Sequence, residues 1–216
     1  MRLRTKKNLE PRIEKCAHLL LDEPTQYKGK WKETFGGNEI RLEIGCGKGS
    51  FVCGMAAMYP DVTFIALERV RNVIVTAMEK ADKAGLTNVR FINGNARDLA
   101  DMFEDGEIDR IYLNFSDPWP KTRHEKNRLT SSTFMPLYIK LLKSRGELHQ
   151  KTDNRGLFDF SLEVYKEYGC TLSEISYDLH KDGTEGNVVT EYEQRFVDLG
   201  QPIHRVVVTT PDKESE

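Results

Sequence analysis

Apolar patches along this chain switch repeatedly between a strand period and a helix period, and that alternation restricts it to folds in which crossover helices join parallel strands. Ile40 to Ile44 predicts a short strand ending at a glycine cluster, and Phe51, Val52, Met55, Ala56 and Tyr59 then supply one helical face that stops at Pro60. Val62 to Leu67 reads as a β-branched and apolar strand. From Arg69 to Ala84, Val70, Val73, Ile74, Ala77, Met78 and Ala81 recur at helical spacing, with Gly85 where a C-cap belongs. The pattern continues with strands at Val89 to Ile92, Ile108 to Phe115 and Gly146 to Lys151, and helices at Ala96 to Phe103, Phe134 to Leu142 and Leu157 to Tyr168. Leu172 to Leu179 and Ile203 to Thr209 then read as two strands with no strong helix between them, which predicts an antiparallel hairpin. The expected fold is α/β: a mostly parallel seven-stranded sheet with an antiparallel edge hairpin and helices on both faces.

The 216 residues, 38% hydrophobic and 31% charged, suit one core, so a single domain spanning 1–216 is expected, with 1–12 a basic flexible tail and 211–216 a flexible C-terminal one. No apolar run approaches the roughly 20 residues of a membrane span, and the start Met1-Arg-Leu-Arg-Thr-Lys-Lys lacks the apolar core of a secretory signal. The expected compartment is the cytoplasm. Cys16, Cys46, Cys53 and Cys170 show neither a paired spacing nor companion histidines, which predicts free thiols and no metal site. A net charge of -2 argues against a protein that coats nucleic acid with its whole surface. An anionic partner must be held locally, by Arg2, Arg4, Lys6, Lys7 and Arg12 or by Lys121, Arg123, Lys126 and Arg128, although either run also suits a solvated face.

In sheets of this kind the ligand crevice lies beyond the C-terminal strand ends. The first such end reads Leu42-Glu43-Ile44-Gly45-Cys46-Gly47-Lys48-Gly49-Ser50, an acid followed by three glycines at alternate positions and a helix start. Missing side chains let a ligand approach backbone, and the following helix offers N–H groups. A dinucleotide fingerprint would place glycine at position 50, which is Ser, and Glu43 would put a carboxylate near the pyrophosphate. The acid suits S-adenosylmethionine instead, which carries an ammonium and a sulfonium and no phosphate. Glu68 closes the second strand 19 residues after Gly49, where a carboxylate accepts from ribose hydroxyls. Asn95 stands where adenine contacts are expected, and a plain turn residue would give the same letter. The sheet and this site together describe the Rossmann-like class I methyltransferase architecture.

The fourth strand runs into Asn114-Phe115-Ser116-Asp117-Pro118-Trp119-Pro120-Lys121-Thr122-Arg123-His124-Glu125-Lys126-Asn127-Arg128. Two prolines around an aromatic predict a rigid extended lip, although a proline-rich turn with a buried Trp would give the same letters. An acid-Pro-aromatic cluster at this strand end resembles the place where several base-modifying methyltransferases receive their target, and the cations after it suit phosphate contacts that position RNA. Asp153, after the fifth strand, suits substrate binding and helix capping equally.

The motif Glu43-x-Gly45-x-Gly47-x-Gly49, the lip Asp117-Pro-Trp-Pro-Lys121 with Arg123-His124, the Thr152-Asp153-Asn154 corner and the late Thr190-Glu-Tyr-Glu-Gln-Arg195-Phe segment together resemble the bacterial tRNA (guanine-N(7))-methyltransferases over roughly residues 40 to 196. Asn127 departs from the family, which commonly has a basic residue there. The resemblance implies an enzyme that methylates N7 of a variable-loop guanine in tRNA, as a monomer or homodimer without metal. It implies Glu43, Glu68, Asn95 and Asp117 as the cofactor pocket, and Lys121, Asp153, Thr190 and Glu193 facing the guanosine, with Asp117 catalytic and Arg123, His124, Lys126 and Arg128 on the RNA. Alternatives on the same residues are a methyltransferase for another RNA, a protein or a small molecule, and a non-catalytic RNA-binding module. A nicotinamide-dependent oxidoreductase is disfavoured by Ser50 and Glu43.

Overall fold

A computed structural model describes residues 8–183 and 186–213. Residues 1–7, which carry Arg2, Arg4, Lys6 and Lys7 of the basic N-terminal run, and residues 214–216 of the C-terminal tail lie outside the described residues. Two short segments lead the chain, α1 (Leu9–Lys15) and α2 (Trp31–Phe35). The expected alternation follows: β1 (Glu39–Ile44), α3 (Ser50–Met58), β2 (Val62–Glu68), α4 (Arg71–Lys83), β3 (Val89–Asn93), α5 (Leu99–Met102), β4 (Ile108–Asn114), α6 (Met135–Leu141), β5 (Leu142–Thr152), α7 (Arg155–Glu167), β6 (Thr171–Ser176), α8 (Leu179–Asp182), α9 (Glu191–Asp198) and β7 (His204–Thr209). The strand order is β3-β2-β1-β4-β5-β7-β6, and β7 runs antiparallel to both β5 and β6. The expected antiparallel edge pair is therefore present.

The chain forms two compact units, Met1–Met102 and Phe103–Glu216. In the N-terminal unit, β1 pairs in parallel with β2 and β2 with β3. Five of the six β1 positions are buried, the run expected of a parallel strand covered on both faces. Residues 8–38, for which the sequence offers no clear period, are held in part by aromatic contacts. Trp31 is fully buried and donates from Nε1 to the Met102 carbonyl at 2.9 Å, with Tyr27 and Phe35 edge to face at 4.9 Å beside it. Helix α1 docks on α4 through a bidentate pair, Arg12 Nε and Nη2 on Glu79 at 2.7 and 2.6 Å, and through Arg71 on Glu10 at 2.8 Å. Residues 9–12, placed by the sequence in a basic tail, are helical here, and Arg12 is committed to Glu79.

In the C-terminal unit, β4 pairs in parallel with β5, and the register slips between Ile108↔Leu142 and Arg110↔Glu147 because β5 accommodates extra residues around Arg145, whose φ is +54°. Helix α7 buries Leu157, Phe158, Leu162 and Tyr165, and its interior polar groups are joined in one chain. Tyr165 donates to Gln150 at 2.9 Å, Gln150 to Ser161 at 3.1 Å, and Ser161 to Thr130 at 2.7 Å. The connection from β6 to β7 departs from expectation. Leu179, predicted within a strand, opens α8, and Glu191–Asp198 is a helix where none was expected. The inward position of α9 is an acid, Glu193, so its apolar residues alone do not trace a helical stripe.

All four cysteines are free and buried. Among the described residues no helix is long and apolar enough to cross a membrane.

Gly49 has φ +77°, and a Cβ on it would lie 2.6 Å from Ala77 Cβ of α4, whereas Gly36 at φ +73° faces open space. Gly49→Ala is expected to lower unfolding free energy by about 2–4 kcal/mol, combining backbone strain with overpacking, and Gly36→Ala by only about 1 kcal/mol. Urea unfolding of the two variants checks this; equal losses would show that contact with α4 does not constrain Gly49.

Candidate active site

Parallel pairing sets Ile44 opposite Leu67 and Glu68 opposite Asn93, so the polar residues of the N-terminal unit gather at one end of its strands. The glycine loop turns back over β2: the N–H groups of Gly45 and Cys46 both donate to the Leu67 carbonyl, at 2.8 and 3.1 Å. Gly45 and Gly47 have φ of +79° and +56°, and a Cβ on either would meet nothing within 4 Å. Their side-chain-free faces border open space, as a ligand-approaching loop requires, while Gly49 serves contact with α4.

Glu68 is held by two backbone donors, Gly47 N–H at 3.1 Å and Val70 N–H at 2.8 Å. These fix the carboxylate plane and leave lone pairs for further donors. Asn93 donates to the carbonyls of Glu68 and Arg69 at 2.8 and 3.1 Å, bracing the same turn. Glu43 is buried, 2% exposed. Burial first, and then the charges of Glu43 and Glu68, push the Cys46 thiol well above its usual range. Asn95 caps the 3-10 turn Ala96–Asp98, accepting from Arg97 N–H at 3.0 Å. Its turn role is thus visible, and its amide nitrogen can still donate to a ligand.

The remaining expected site residues belong to the C-terminal unit. Phe115 and Trp119 flank Asp117 with φ of +52° and +42°, left-handed conformations that bulky residues adopt only under constraint. Part of that constraint is Arg128. Its Nε donates to the Pro118 carbonyl at 3.0 Å, its Nη2 to the Trp119 carbonyl at 3.2 Å, and its guanidinium lies 4.3 Å over the Phe160 ring. With its side chain only 12% exposed, Arg128, expected on RNA, instead clamps the lip. His124 packs edge-on against Trp119 at 5.6 Å. Lys121, Arg123 and Lys126 are exposed around the 3-10 segment Thr122–Asn127, and Asp117 is exposed as well.

Asn154, not Asp153, caps α7, with its Oδ1 accepting from Leu157 N–H at 2.8 Å, so the capping alternative for Asp153 is taken by its neighbour. Thr190 caps α9 by accepting from Glu193 N–H at 3.0 Å. Glu193, expected to face the guanosine, is fully buried, and its carboxylate accepts from Lys151 Nζ at 2.7 Å and Asn187 Nδ2 at 2.9 Å, with His180 Nε2 at 3.1 Å. A carboxylate removed from water needs such donors, and this set leaves it an internal anchor.

Sequence reasoning missed Tyr192, whose ring meets Phe115 at 4.9 Å and is 44% exposed. Its phenol is shifted upward by burial first, then by Asp153, against Arg195, with a further push from Asp117. The contact with Phe115 brings α9 against the root of the lip within this unit. The bare sequence signal for it was weak, a tyrosine in a polar run. Lys151, buried at the end of β5, was likewise read only as a strand terminus.

A protein-family model described as putative methyltransferase matches residues 37–206. A tRNA (guanine-N(7)-)-methyltransferase of Bacillus licheniformis is 51% identical over 207 residues, covering 95% of this chain and 97% of that protein. One of Bacillus subtilis is 48% identical, covering 96% and 98%. Among solved structures, the 16S rRNA methyltransferase KamB superposes with a TM-score of 0.61 at 13% identity, covering 98% of this chain and 96% of that one. An antibiotic-related methyltransferase gives 0.59 at 16% identity, covering 86% and 94%. The fold is that of class I methyltransferases.

Arg128→Met is expected to lower kcat/KM for the polynucleotide substrate about tenfold by loosening the lip, with the slope of log affinity against log salt unchanged, because no phosphate contact is lost. Filter binding across a salt series, with turnover measured alongside, checks this; a shallower slope would put Arg128 on the RNA.

Proposed function

The chain belongs to the tRNA (guanine-N(7))-methyltransferase family, and from that premise we propose how its own residues carry out methylation of a tRNA guanine at N7 with S-adenosylmethionine. When bound, S-adenosylmethionine supplies an electrophilic methyl group on a positively charged sulfur. The donor set of the N-terminal unit fits it. The Glu43 carboxylate suits the cationic methionine end, the open faces of Gly45 and Gly47 admit it, and Glu68 accepts from the ribose hydroxyls. Asn95 addresses the adenine through its amide. S-adenosylmethionine carries no phosphate, so its pocket needs no phosphate cradle.

Guanine N7 carries an in-plane lone pair and no proton, so the reaction needs no general base. Catalysis then comes from alignment and from accommodating the positive charge that moves onto the ring. Asp117, the catalytic residue of this reading, and Asp153 hold the donor edge of the base, N1–H and the 2-amino group. Those hydrogen bonds strengthen as the ring becomes cationic, which lowers the barrier rather than merely tightening binding. Tyr192 offers an exposed ring, set against Phe115 at the root of the lip, for stacking. Lys121 and the Thr190 hydroxyl, which still has a hydrogen to donate, address acceptors of the guanosine. Arg123, His124 and Lys126 place the strand through phosphate contacts that read no sequence. The preferred site is the variable loop, the compartment the cytoplasm, and the active form a monomer or homodimer.

The single observation that carries this reading is the contact of the exposed Tyr192 ring with Phe115 at 4.9 Å, which sets α9 against the root of the lip that carries Asp117. Incubating the protein with unmodified tRNA and methyl-labelled cofactor is expected to put label on guanine N7 in the variable loop; label on another base overturns the assignment. Asp117→Ala should lose about 100-fold in kcat while keeping the parent's thermal midpoint. Arg123→Ala combined with Lys126→Ala should make the log–log salt slope shallower by about 1 to 2, and an unchanged slope would remove this segment from the RNA interface.

A further inference from the structure

Lys151 ends a sheet strand, yet its two ends bind two different functional segments. Its backbone carbonyl accepts from Phe115 N–H at 2.8 Å, at the strained root of the lip. Its side chain, 5% exposed, reaches the late segment with three contacts: Nζ donates to Asn187 Oδ1 at 3.0 Å, to the Val188 carbonyl at 3.1 Å and to Glu193 Oε2 at 2.7 Å. The same ammonium lies 5.7 Å from the centre of the Phe115 ring. Glu193 in turn accepts from Asn187 Nδ2, closing a ring of hydrogen bonds through residues 151, 187 and 193.

Residues 187–190 have no regular secondary structure, so little in the backbone itself fixes Thr190 and Tyr192 against the lip. An ammonium with a flexible stem and rotatable donors suits this task, since it satisfies a side-chain amide, a carbonyl and a carboxylate that do not share a plane. We propose that Lys151 is a positioning residue for methyl transfer: through Glu193 and Asn187 it sets the 187–193 segment, and so Tyr192 and Thr190, against the lip that carries Asp117. The proposal rests on the assignment of the C-terminal unit to the guanosine.

The test uses the full chain with three variants, Lys151→Met, Asn187→Ala, and Lys151→Met combined with Glu193→Gln. The readouts are the single-turnover methylation rate with saturating S-adenosylmethionine and excess enzyme over unmodified tRNA, the affinity for S-adenosylhomocysteine by calorimetry, and the thermal midpoint. Lys151→Met is expected to slow the single-turnover rate about tenfold or more, and Asn187→Ala about threefold to fivefold. The double variant should be no slower than Lys151→Met, since residues in one network fail as a unit. Affinity for S-adenosylhomocysteine should stay within about twofold throughout. A role in stability alone predicts a lower midpoint but the parent's rate at temperatures where the protein is folded, and that result overturns the proposal. So does an equal loss of cofactor affinity, which would signal general disruption. Should removal of the ammonium prevent folding, Asn187→Ala, which strands no buried charge, decides the matter: a parental rate there refutes the anchor. The parent in the same assay separates the two readings, because absence of label from guanine N7 defeats the substrate assignment, whereas parental rates in the variants defeat only the role of Lys151.

Discussion

Burial of the parallel strands on both faces is the constraint from which the site follows. β1 and β2 are enclosed almost along their whole length, so the charged groups they carry, Arg41 and Glu43 of β1 among them, are largely removed from water. Every such group must then be satisfied by backbone or by a partner, or reserved for a ligand. Glu68 takes two backbone N–H groups and Lys151 takes three acceptors, whereas Asp153 is half-buried and Asp117 exposed. Glu193, fully buried, braces the late segment.

A reaction without a general base places unusual demands on positioning. N7 alkylation requires no proton to be removed, so no side chain needs a matched pKa, and the task proposed for Asp117 and Asp153 is that of fixed acceptors. What distinguishes this chain from a generic cofactor-binding fold is therefore the stiffness of the elements around the base. Two left-handed residues flank Asp117, a guanidinium holds the carbonyls of Pro118 and Trp119, and an ion pair shielded from water ties the late segment to β5. Strained backbone persists only where surrounding contacts over-determine it, and Arg128 with Lys151 supplies several of those contacts.

Legibility in the sequence followed the same physical line. Strands and helices whose inward residues are apolar, such as α4 and α7, could be read from period alone, as could the glycine loop, since alternate glycines after an acid-bearing strand have few other uses. Helix α9 could not, because its buried position is Glu193, and a hydrophobic period cannot register an acid satisfied by Lys151 forty-two residues away in the chain. The segment before β1 was equally opaque: its order comes from aromatic contacts around Trp31 and from the Arg12–Glu79 pair, which link distant residues. Arg128 shows the converse error. Within a basic run it looks like a phosphate ligand, and only the geometry of its guanidinium reveals two carbonyl acceptors inside the lip.

The two basic elements at the lip thus perform opposite tasks with similar chemistry. Lys121, Arg123 and Lys126 keep their charge in water, where long-range attraction to a polyanion is useful and where salt weakens it. Arg128 and Lys151 surrender nearly all contact with water, and their charge is spent on nearby oxygens that salt cannot screen. Binding of tRNA should therefore vary with ionic strength, while the shape of the surface that receives the base does not. Loss of an ionic contact at Lys121, Arg123 or Lys126 leaves the hydrogen bonds of Arg128 and Lys151 in place, because those exposed cations take no part in them.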